Sequence, residues 1–325
     1  MEYINDAKRI CLERDACRCR HCGTTEDIEV QQLVKRDGHL AWQLSNLVTL
    51  CTSCALAAYV NKKKNIRKRR VGVILCGGRG TRLYPLTKFQ NKHTLPIGLV
   101  PMLFYPLKTL RKFGVYRVLV VIDREGADEI ISMLGSGKEF GMDISYKVQE
   151  GAGGISEALY LAKDFVERDD EIVCILGDNI FDNDSLDSDF ELQSENLACV
   201  FVKEVSNPQD YGVAIIENDR VSKIIEKPKE FVSNLGVVGL YIFTDQVFEI
   251  IENIKPSDRG ELEISSVNDF YASSGVLQHQ VVAGYWGDAG GSIQRYAECS
   301  MHGAKKANVS AEEIDNFRSI AFDDK

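Results

Sequence analysis

The sequence predicts an α/β fold with a mixed, mainly parallel sheet, preceded by a small cysteine-rich module. Three observations predict it. From residue 71 onward, short apolar runs alternate with stretches of helical spacing. Six of the ten cysteines fall before residue 55. Seven positive charges at residues 62–70 (Lys-Lys-Lys-Asn-Ile-Arg-Lys-Arg-Arg) separate the two regions. At 325 residues the chain exceeds one typical core and suits two domains of unequal size. The expected division is a module at 1–58, a basic linker at 59–70, a larger domain at 71–303 and a tail at 304–325.

In the larger domain, residues 71–75 (Val-Gly-Val-Ile-Leu) form an apolar run ending in glycines, as a buried parallel strand does. Residues 106–113 have helical spacing, with Leu107, Leu110 and Phe113 on one side. Further strands are expected at 115–122, 144–148 and 172–176, and helices at 127–134 and 155–165. That alternation argues for a largely parallel sheet. Beyond Leu197, strand-like segments dominate (198–202, 213–216, 221–225 and 237–243). Helical patterns return at 246–254 and 262–273. There is no internal repeat, and no low-complexity segment apart from the basic run.

A formal net charge of −9 excludes a wholly basic nucleic-acid binder. The basic run itself is either a solvated linker or a phosphate-contacting arm. No apolar run approaches the ~20 residues that span a bilayer. Met1 to Asp6 lacks the basic-then-apolar pattern of a signal peptide, so a cytoplasmic location is expected. Clustered cysteines then point to a metal site in a reducing compartment rather than to disulfides.

In the first module, Cys19-Arg-His-Cys22 and Cys51-Thr-Ser-Cys54 are two CxxC knuckles. Together they supply four thiolates, a closed tetrahedral set for a structural Zn²⁺. Such a site adds folding energy to a segment too small for a good core. His21 is expected to be exposed, and Cys11 and Cys17 have no assigned role. Arg14-Asp15, Cys19-Arg-His-Cys22-Gly23, Ile28-Glu29-Val30 and the run from Leu44 to Cys54 resemble the treble-clef module of HNH nucleases. Where that family has Asp-His, this chain has Gln31-Gln32, and Ala55 replaces its Asn. Asn46 is retained. Glutamine has no titrating imidazole to serve as general base. The resemblance therefore implies a degenerate module for binding or assembly.

In the second module the first strand leads into Gly77-Gly78-Arg79-Gly80-Thr81-Arg82. Three glycines let backbone N–H groups approach phosphates, and Arg82 adds a fork of donors. The spacing matches neither a Walker loop nor the dinucleotide fingerprint. Lys92, in Asn91-Lys92-His93-Thr94, is expected to bring a cation back to this loop. Asp178 closes an apolar strand in Leu176-Gly177-Asp178-Asn179. Open α/β sheets bind ligands at that end of a strand. A hard Mg²⁺ on a triphosphate takes one or two carboxylates, and Asp288 is the natural second.

With Tyr146-Lys-Val-Gln149, Gly154, Tyr211-Gly212-Val213, Glu226-Lys227-Pro228, Ser233-Asn234, Gly239-Leu-Tyr241 and Arg259-Gly-Glu261-Leu-Glu263-Ile264 following in order, residues 71 to about 300 resemble the sugar-1-phosphate nucleotidyltransferases. Within that family they look most like the glucose-1-phosphate thymidylyltransferases. The resemblance implies a Rossmann-like domain and Mg²⁺-dependent transfer of a nucleotidyl group, dTMP from dTTP, to a sugar 1-phosphate. It implies that Gly77, Gly78, Gly80, Thr81 and Arg82 cradle the triphosphate. Gln149 and Gly154 would read the pyrimidine, and Asp178 and Asp288 would hold Mg²⁺. Lys92 and Lys227 would neutralise phosphates, assisted by Arg259. Asn179, Gly212, Glu226 and backbone near Val237 would bind the sugar. A homo-oligomer is implied as well.

Four departures stand out. Ala289-Gly290-Gly291 replaces Thr-Gly-Thr after the second aspartate, and His93-Thr94 replaces Gln-Leu. Cys76 stands where a small residue is usual and is expected to be buried. Glu157 stands where Gln is common, and its charge could alter base choice or weaken triphosphate binding. All the metal ligands and phosphate cations remain. The alternative is a nucleic-acid- or protein-binding pseudoenzyme, with its function in the zinc module and basic linker.

Overall fold

A computed structural model describes residues 2–32, 47–55, 69–78, 80–151, 153–187, 190–257 and 259–306. The chain forms two compact units, Met1–Ile66 and Arg67–Lys325. No helix among the described residues is long and apolar enough to cross a membrane.

In the first unit, helix α1 (Glu2–Arg14) packs on an antiparallel pair, β1 (Ile28–Gln32) and β2 (Leu47–Cys51). Ala7, Cys11 and Leu47 form its small core, with Val30 against them. Such a core needs polar reinforcement, and Asp15 supplies it. Arg14 donates to its carboxylate from Nε at 2.8 Å and Nη2 at 2.9 Å, and Thr49 N donates at 2.9 Å. The Arg14 hydrogen bonds hold the Asp15 carboxyl well below the usual range. Cys11, without a role in the sequence reading, is a fully buried core residue.

The second unit is built on a nine-stranded sheet. Its strands are β3 (Arg70–Cys76), β6 (Arg117–Asp123), β7 (Asp143–Gln149), β8 (Glu171–Leu176), β10 (Ala198–Glu204), β11 (Gly212–Glu217), β12 (Arg220–Glu226), β13 (Leu235–Thr244) and β14 (Leu277–Val281). The order is β12-β11-β13-β8-β3-β6-β7, with β10 paired to β13 and β14. Strands β8, β3, β6 and β7 are mutually parallel, and β13 extends this block antiparallel to β8. Two small antiparallel pairs lie outside the sheet: β4 (Pro96–Ile97) with β5 (Val100–Pro101), and β9 (Asn179–Phe181) with β15 (Trp286–Asp288).

The parallel block is apolar because it is covered. Val71, Val73 and Ile74 on β3 and Val118 to Ile122 on β6 are buried. The helix Phe104–Lys112 lies so close that a Cβ at Gly72 would come within 2.7 Å of Leu110 Cδ1. Register then sets the site. Leu75 is opposite Leu176, Cys76 opposite Ile122 and Asp123 opposite Gln149. The carboxyl ends of four strands therefore deliver Gly77, Asp178, Asp123 and Gln149 to one edge, where open α/β sheets take their ligands.

Some expectations shift. The helix expected at 155–165 is α-helical only over Ile155–Tyr160. Beyond it, Lys163 N bonds Tyr160 O and Phe165 N bonds Ala162 O, a tighter three-residue spacing. The helix expected from residue 262 starts at Ile264, because Leu262 is tied to Gly153 and Ser156 through its own N–H and C=O. Of the basic run, Arg69 and Arg70 are described, and neither is a free linker charge. Arg69 forks onto Asp170 at 2.9 Å through both nitrogens, and Arg70 pairs with Glu171 at 3.1 Å. They pin the start of β3, while residues 59–68 lie outside the described residues. The helix Ile293–Lys306 runs past residue 303, and 307–325 lie outside the described residues.

Candidate active site

The loop after β3 folds back on its own unit. Gly78 (φ 99°) and Gly80 (φ 62°) occupy the left-handed region that glycine tolerates. A Cβ at Gly80 would lie 2.9 Å from Thr87 and 3.1 Å from Lys92 Cβ, so the loop rests on Lys92. Leu83 is buried and anchors the turn, leaving Thr81 and Arg82 exposed. Asp123 accepts from Gly78 N at 2.5 Å. Cys76 is fully buried beneath the loop, and burial pushes its thiol up.

Lys92 and Asp178 form a largely buried ion pair, Nζ to Oδ2 at 2.6 Å. Burial opposes the Lys92 ammonium, but Asp178 overrides it and raises its pKa. Burial likewise opposes ionisation of Asp178, and Lys92, His93 and Asn179 override it downward. Asp288 sits beside it, because β15 pairs Asp288 with Asn179 and Ala289 N donates to Asp178 O at 2.9 Å. Burial, then the Asp178 charge, push the Asp288 carboxyl up against the pull of Arg295, Lys92 and Arg82. Two hard oxygen donors that repel one another suit a divalent cation, whose charge removes the repulsion. Gly290 is required here, since a Cβ would overlap the Asp178 carboxylate.

At the end of β7, Gln149 is buried and its Nε2 donates to Glu157 Oε2 at 2.7 Å and to Gly154 O at 3.3 Å. Gly154 (φ 98°) approaches the backbone of Leu262. This joins the end of β7 to the Arg259–Ile264 motif.

A third group gathers at β11 and β12, where Gly212 faces Glu226 in register. Ser265 Oγ donates to Glu226 Oε2, and Lys227 Nζ lies 3.4 Å from Glu226 Oε1. Lys227 takes a left-handed backbone (φ 42°), unusual for a side chain of its size. Arg259 bonds Glu263 at 2.8 Å and Glu226 at 3.5 Å. Val237 is buried within β13. Asn179 is buried too. Its Oδ1 accepts from Gly239 N and Trp286 Nε1, and its Nδ2 donates to Asp178. Its amide thus makes two acceptor bonds and one donor bond inside the protein, the last to Asp178.

The sequence reading missed three residues. Arg295 bonds Asp288 at 3.3 Å and Asp210 at 2.6 Å, and lies over the Tyr211 ring. It fills space that a side chain at Gly291 would need, so the loss of threonine there was its one indirect signal. Trp286 meets Tyr211 edge to face and bonds Asn179. Asp123 lay unmarked at the end of an expected strand.

In the first unit, the sulfurs of Cys19, Cys22, Cys51 and Cys54 all lie within 4.8 Å of one another, and Cys22 and Cys51 are 3.6 Å apart. All four cysteines are free thiols. Tetrahedral zinc with Zn–S near 2.3 Å needs sulfurs about 3.8 Å apart, so the set fits that ion.

A strand-end phosphate-type loop, a buried cation–carboxylate pair and a second carboxylate define an α/β nucleotide-binding protein. Residues 71–306 match the family described as "Nucleotidyl transferase", and the chain belongs to that family. It is 38% identical over 222 residues to the low-salt glycan biosynthesis nucleotidyltransferase Agl11 of Haloferax volcanii, covering 67% of this chain and 62% of that one. It is 35% identical over 258 residues to a glucose-1-phosphate thymidylyltransferase of Neisseria meningitidis, covering 78% of this chain and 87% of the relative. Among solved structures, a Bacillus anthracis chain assigned as a glucose-1-phosphate thymidylyltransferase, crystallised with a sucrose, superposes with TM-score 0.66. It is 38% identical, covering 75% of this chain and 98% of its own. A UDP-glucose pyrophosphorylase bound to UDP-glucose has TM-score 0.61 at 23% identity and shares the fold; 73% of this chain and 99% of that one are covered.

Proposed function

We propose that this chain transfers a nucleotidyl group, dTMP from dTTP, to a sugar 1-phosphate such as glucose 1-phosphate, releasing pyrophosphate. The buried Lys92–Asp178 pair, with Asp288 beside it and the glycine loop resting on Lys92, carries the reading. In the reaction a phosphate oxygen of the sugar phosphate attacks the α-phosphorus. The bond from that phosphorus to the bridging oxygen breaks, and pyrophosphate leaves with the electron pair. Two anions must meet, so catalysis is chiefly positioning and charge neutralisation.

The residues divide that work. Gly77, Gly80 and Thr81 offer N–H groups to the triphosphate and Arg82 its guanidinium, while Gly78, whose own N–H is held by Asp123, shapes the cradle. Lys92 meets developing charge near the α-phosphorus. Lys227 and Arg259 attract the sugar phosphate. Glu226 and Gly212 contact the sugar, as does backbone near Val237, and Asn179 orients Asp178. Asp178 and Asp288 would hold Mg²⁺, which supplies charge neutralisation to the triphosphate when bound. In the first unit Cys19, Cys22, Cys51 and Cys54 would hold structural Zn²⁺, and Gln31-Gln32 leave the HNH-like module without a general base.

The test is pyrophosphate release with Mg²⁺ and glucose 1-phosphate, offering dTTP, UTP, CTP, ATP and GTP separately. Release with dTTP that disappears in Asp178→Ala supports the reading. Silence with every donor across several sugar phosphates overturns it.

A further inference from the structure

Arg295 stands in an awkward place for a cation. It lies in the first turn of the helix Ile293–Lys306, where Ser292 Oγ accepts its backbone N–H at 3.1 Å. The helix dipole disfavours positive charge at that end. The side chain is nevertheless only 24% exposed, and partners from two other segments hold it. Nη1 donates to Asp288 Oδ2 at 3.3 Å, and Nη2 to Asp210 Oδ2 at 2.6 Å. The guanidinium carbon lies 4.9 Å from the centre of the Tyr211 ring. Gly291 makes room for this fork. A Cβ there would overlap Asp288 Oδ2 and stand 2.7 Å from Nη1.

Both anchors lead into the site. Asp288 ends β15, opposite Asn179 of β9. Asp210 ends the turn Pro208–Asp210 and runs through Tyr211 into Gly212 at the start of β11. Tyr211 O accepts from Lys227 N at 2.9 Å. Arg295 thus ties the carboxylate pair to the segment that carries Gly212 and Lys227.

From this we infer that Arg295 is a positioning residue: it fixes the Asp288 carboxylate for a divalent cation and couples it to the Asp210–Gly212 segment. The inference rests on the reading of Asp178 and Asp288 as the metal pair. Arg295 takes Oδ2 of Asp288. Among the described residues no hydrogen bond occupies Oδ1, which is left to an ion. A carboxylate held in place need not be ordered when the ion arrives, and partners of this kind are worth about 10–100-fold in metal affinity. A planar fork is needed, because two carboxylates on separate segments must be met at once. A lysine would bring the charge as a single point.

The test measures binding of Mn²⁺ alone to the full chain, by loss of the free-ion paramagnetic resonance signal. Asp288→Ala identifies the ions bound at this site. Arg295→Met should weaken them by about 10-fold or more, and Arg295→Lys should recover only part. Asp210 is half exposed, so Asp210→Asn cuts the coupling with little risk to the fold. It should weaken Mn²⁺ as well, and the double variant should lose no more than Arg295→Met alone, because Asp210 acts through the arginine. In turnover with Mg²⁺, Asp210→Asn should raise KM for glucose 1-phosphate more than KM for dTTP. Mn²⁺ binding that is unchanged or tighter in Arg295→Met would show that the arginine competes with the ion, which overturns the inference and leaves the transferase reading intact. Additive losses in the double variant, a full recovery with lysine, or Mn²⁺ binding indifferent to Asp288→Ala overturn it too. If no nucleotide turns over, the transferase reading fails, and the Mn²⁺ series decides the role of Arg295 by itself.

Discussion

Replacing Lys92 with methionine removes one charge and keeps the stem that packs under Gly80. In the wild type its ammonium lies 2.6 Å from Asp178, and both side chains are 13% exposed. The pair is therefore closer to a buried than to a surface ion pair. Removing one partner of a buried pair typically costs about 3–5 kcal/mol, because the other charge is left uncompensated. Asp178 would then lack its main counter-charge while Asp288 still repels it. Lys92→Met should lose about 3 kcal/mol or more in urea unfolding with EDTA present. Mg²⁺ should restore part of that loss, because an ion held by the folded state alone stabilises it by mass action. Wild type should respond less. Turnover should fall by about 100-fold or more, the usual cost of losing one preorganised charge stabiliser. Equal stability of the two proteins in EDTA would refute the electrostatic reasoning. A stable but unimpaired variant would refute the catalytic role of Lys92.

Two further predictions follow from groups with defined surroundings. His93 is fully buried, and burial followed by the Lys92 charge pushes its pKa down to about 3. Between the ordinary histidine value near 6.5 and that value the unfolded chain binds more protons, so this contribution to stability is complete above the window and lost as pH falls through it. Urea unfolding of wild type should show an extra slope of up to about 1.4 kcal/mol per pH unit there. His93→Gln should remove that slope, and identical pH profiles would count against it. The cysteine cluster should retain one zinc per chain by elemental analysis, and Cys19→Ser with Cys22→Ser should release it. Proteolysis should then attack the first unit, while nucleotidyl transfer survives. Joint loss of both would contradict two independently folding units.

The parallel core was legible because strands buried on both faces write themselves as apolar runs, and residues 71–75, 115–122 and 172–176 do so. Asp178 and Gly77 were legible for the same reason, as polar residues that end such runs. Helix Ile293–Lys306 was not foreseen. Only Cys299 and Gly303 in it are buried, so the face it turns inward carries no large aliphatic side chain to mark it. The short strands β9 and β15 are too brief to show a period. Arg69 and Arg70 merged with a basic run in sequence, and partners such as Asp170 and Glu171, a hundred residues away, mark them as structural. Arg295 and Trp286 act through long-range contacts that no local pattern encodes. Glu157 was visible as a departure, but its bond to Gln149 was not.

The most direct test of the central claim is pyrophosphate release from dTTP and glucose 1-phosphate with Mg²⁺, in wild type and in Asp178→Ala. Steady release from wild type and a loss of at least about 100-fold in the variant are expected. Release that survives Asp178→Ala unchanged, or none from wild type with any nucleotide or sugar phosphate, would contradict it.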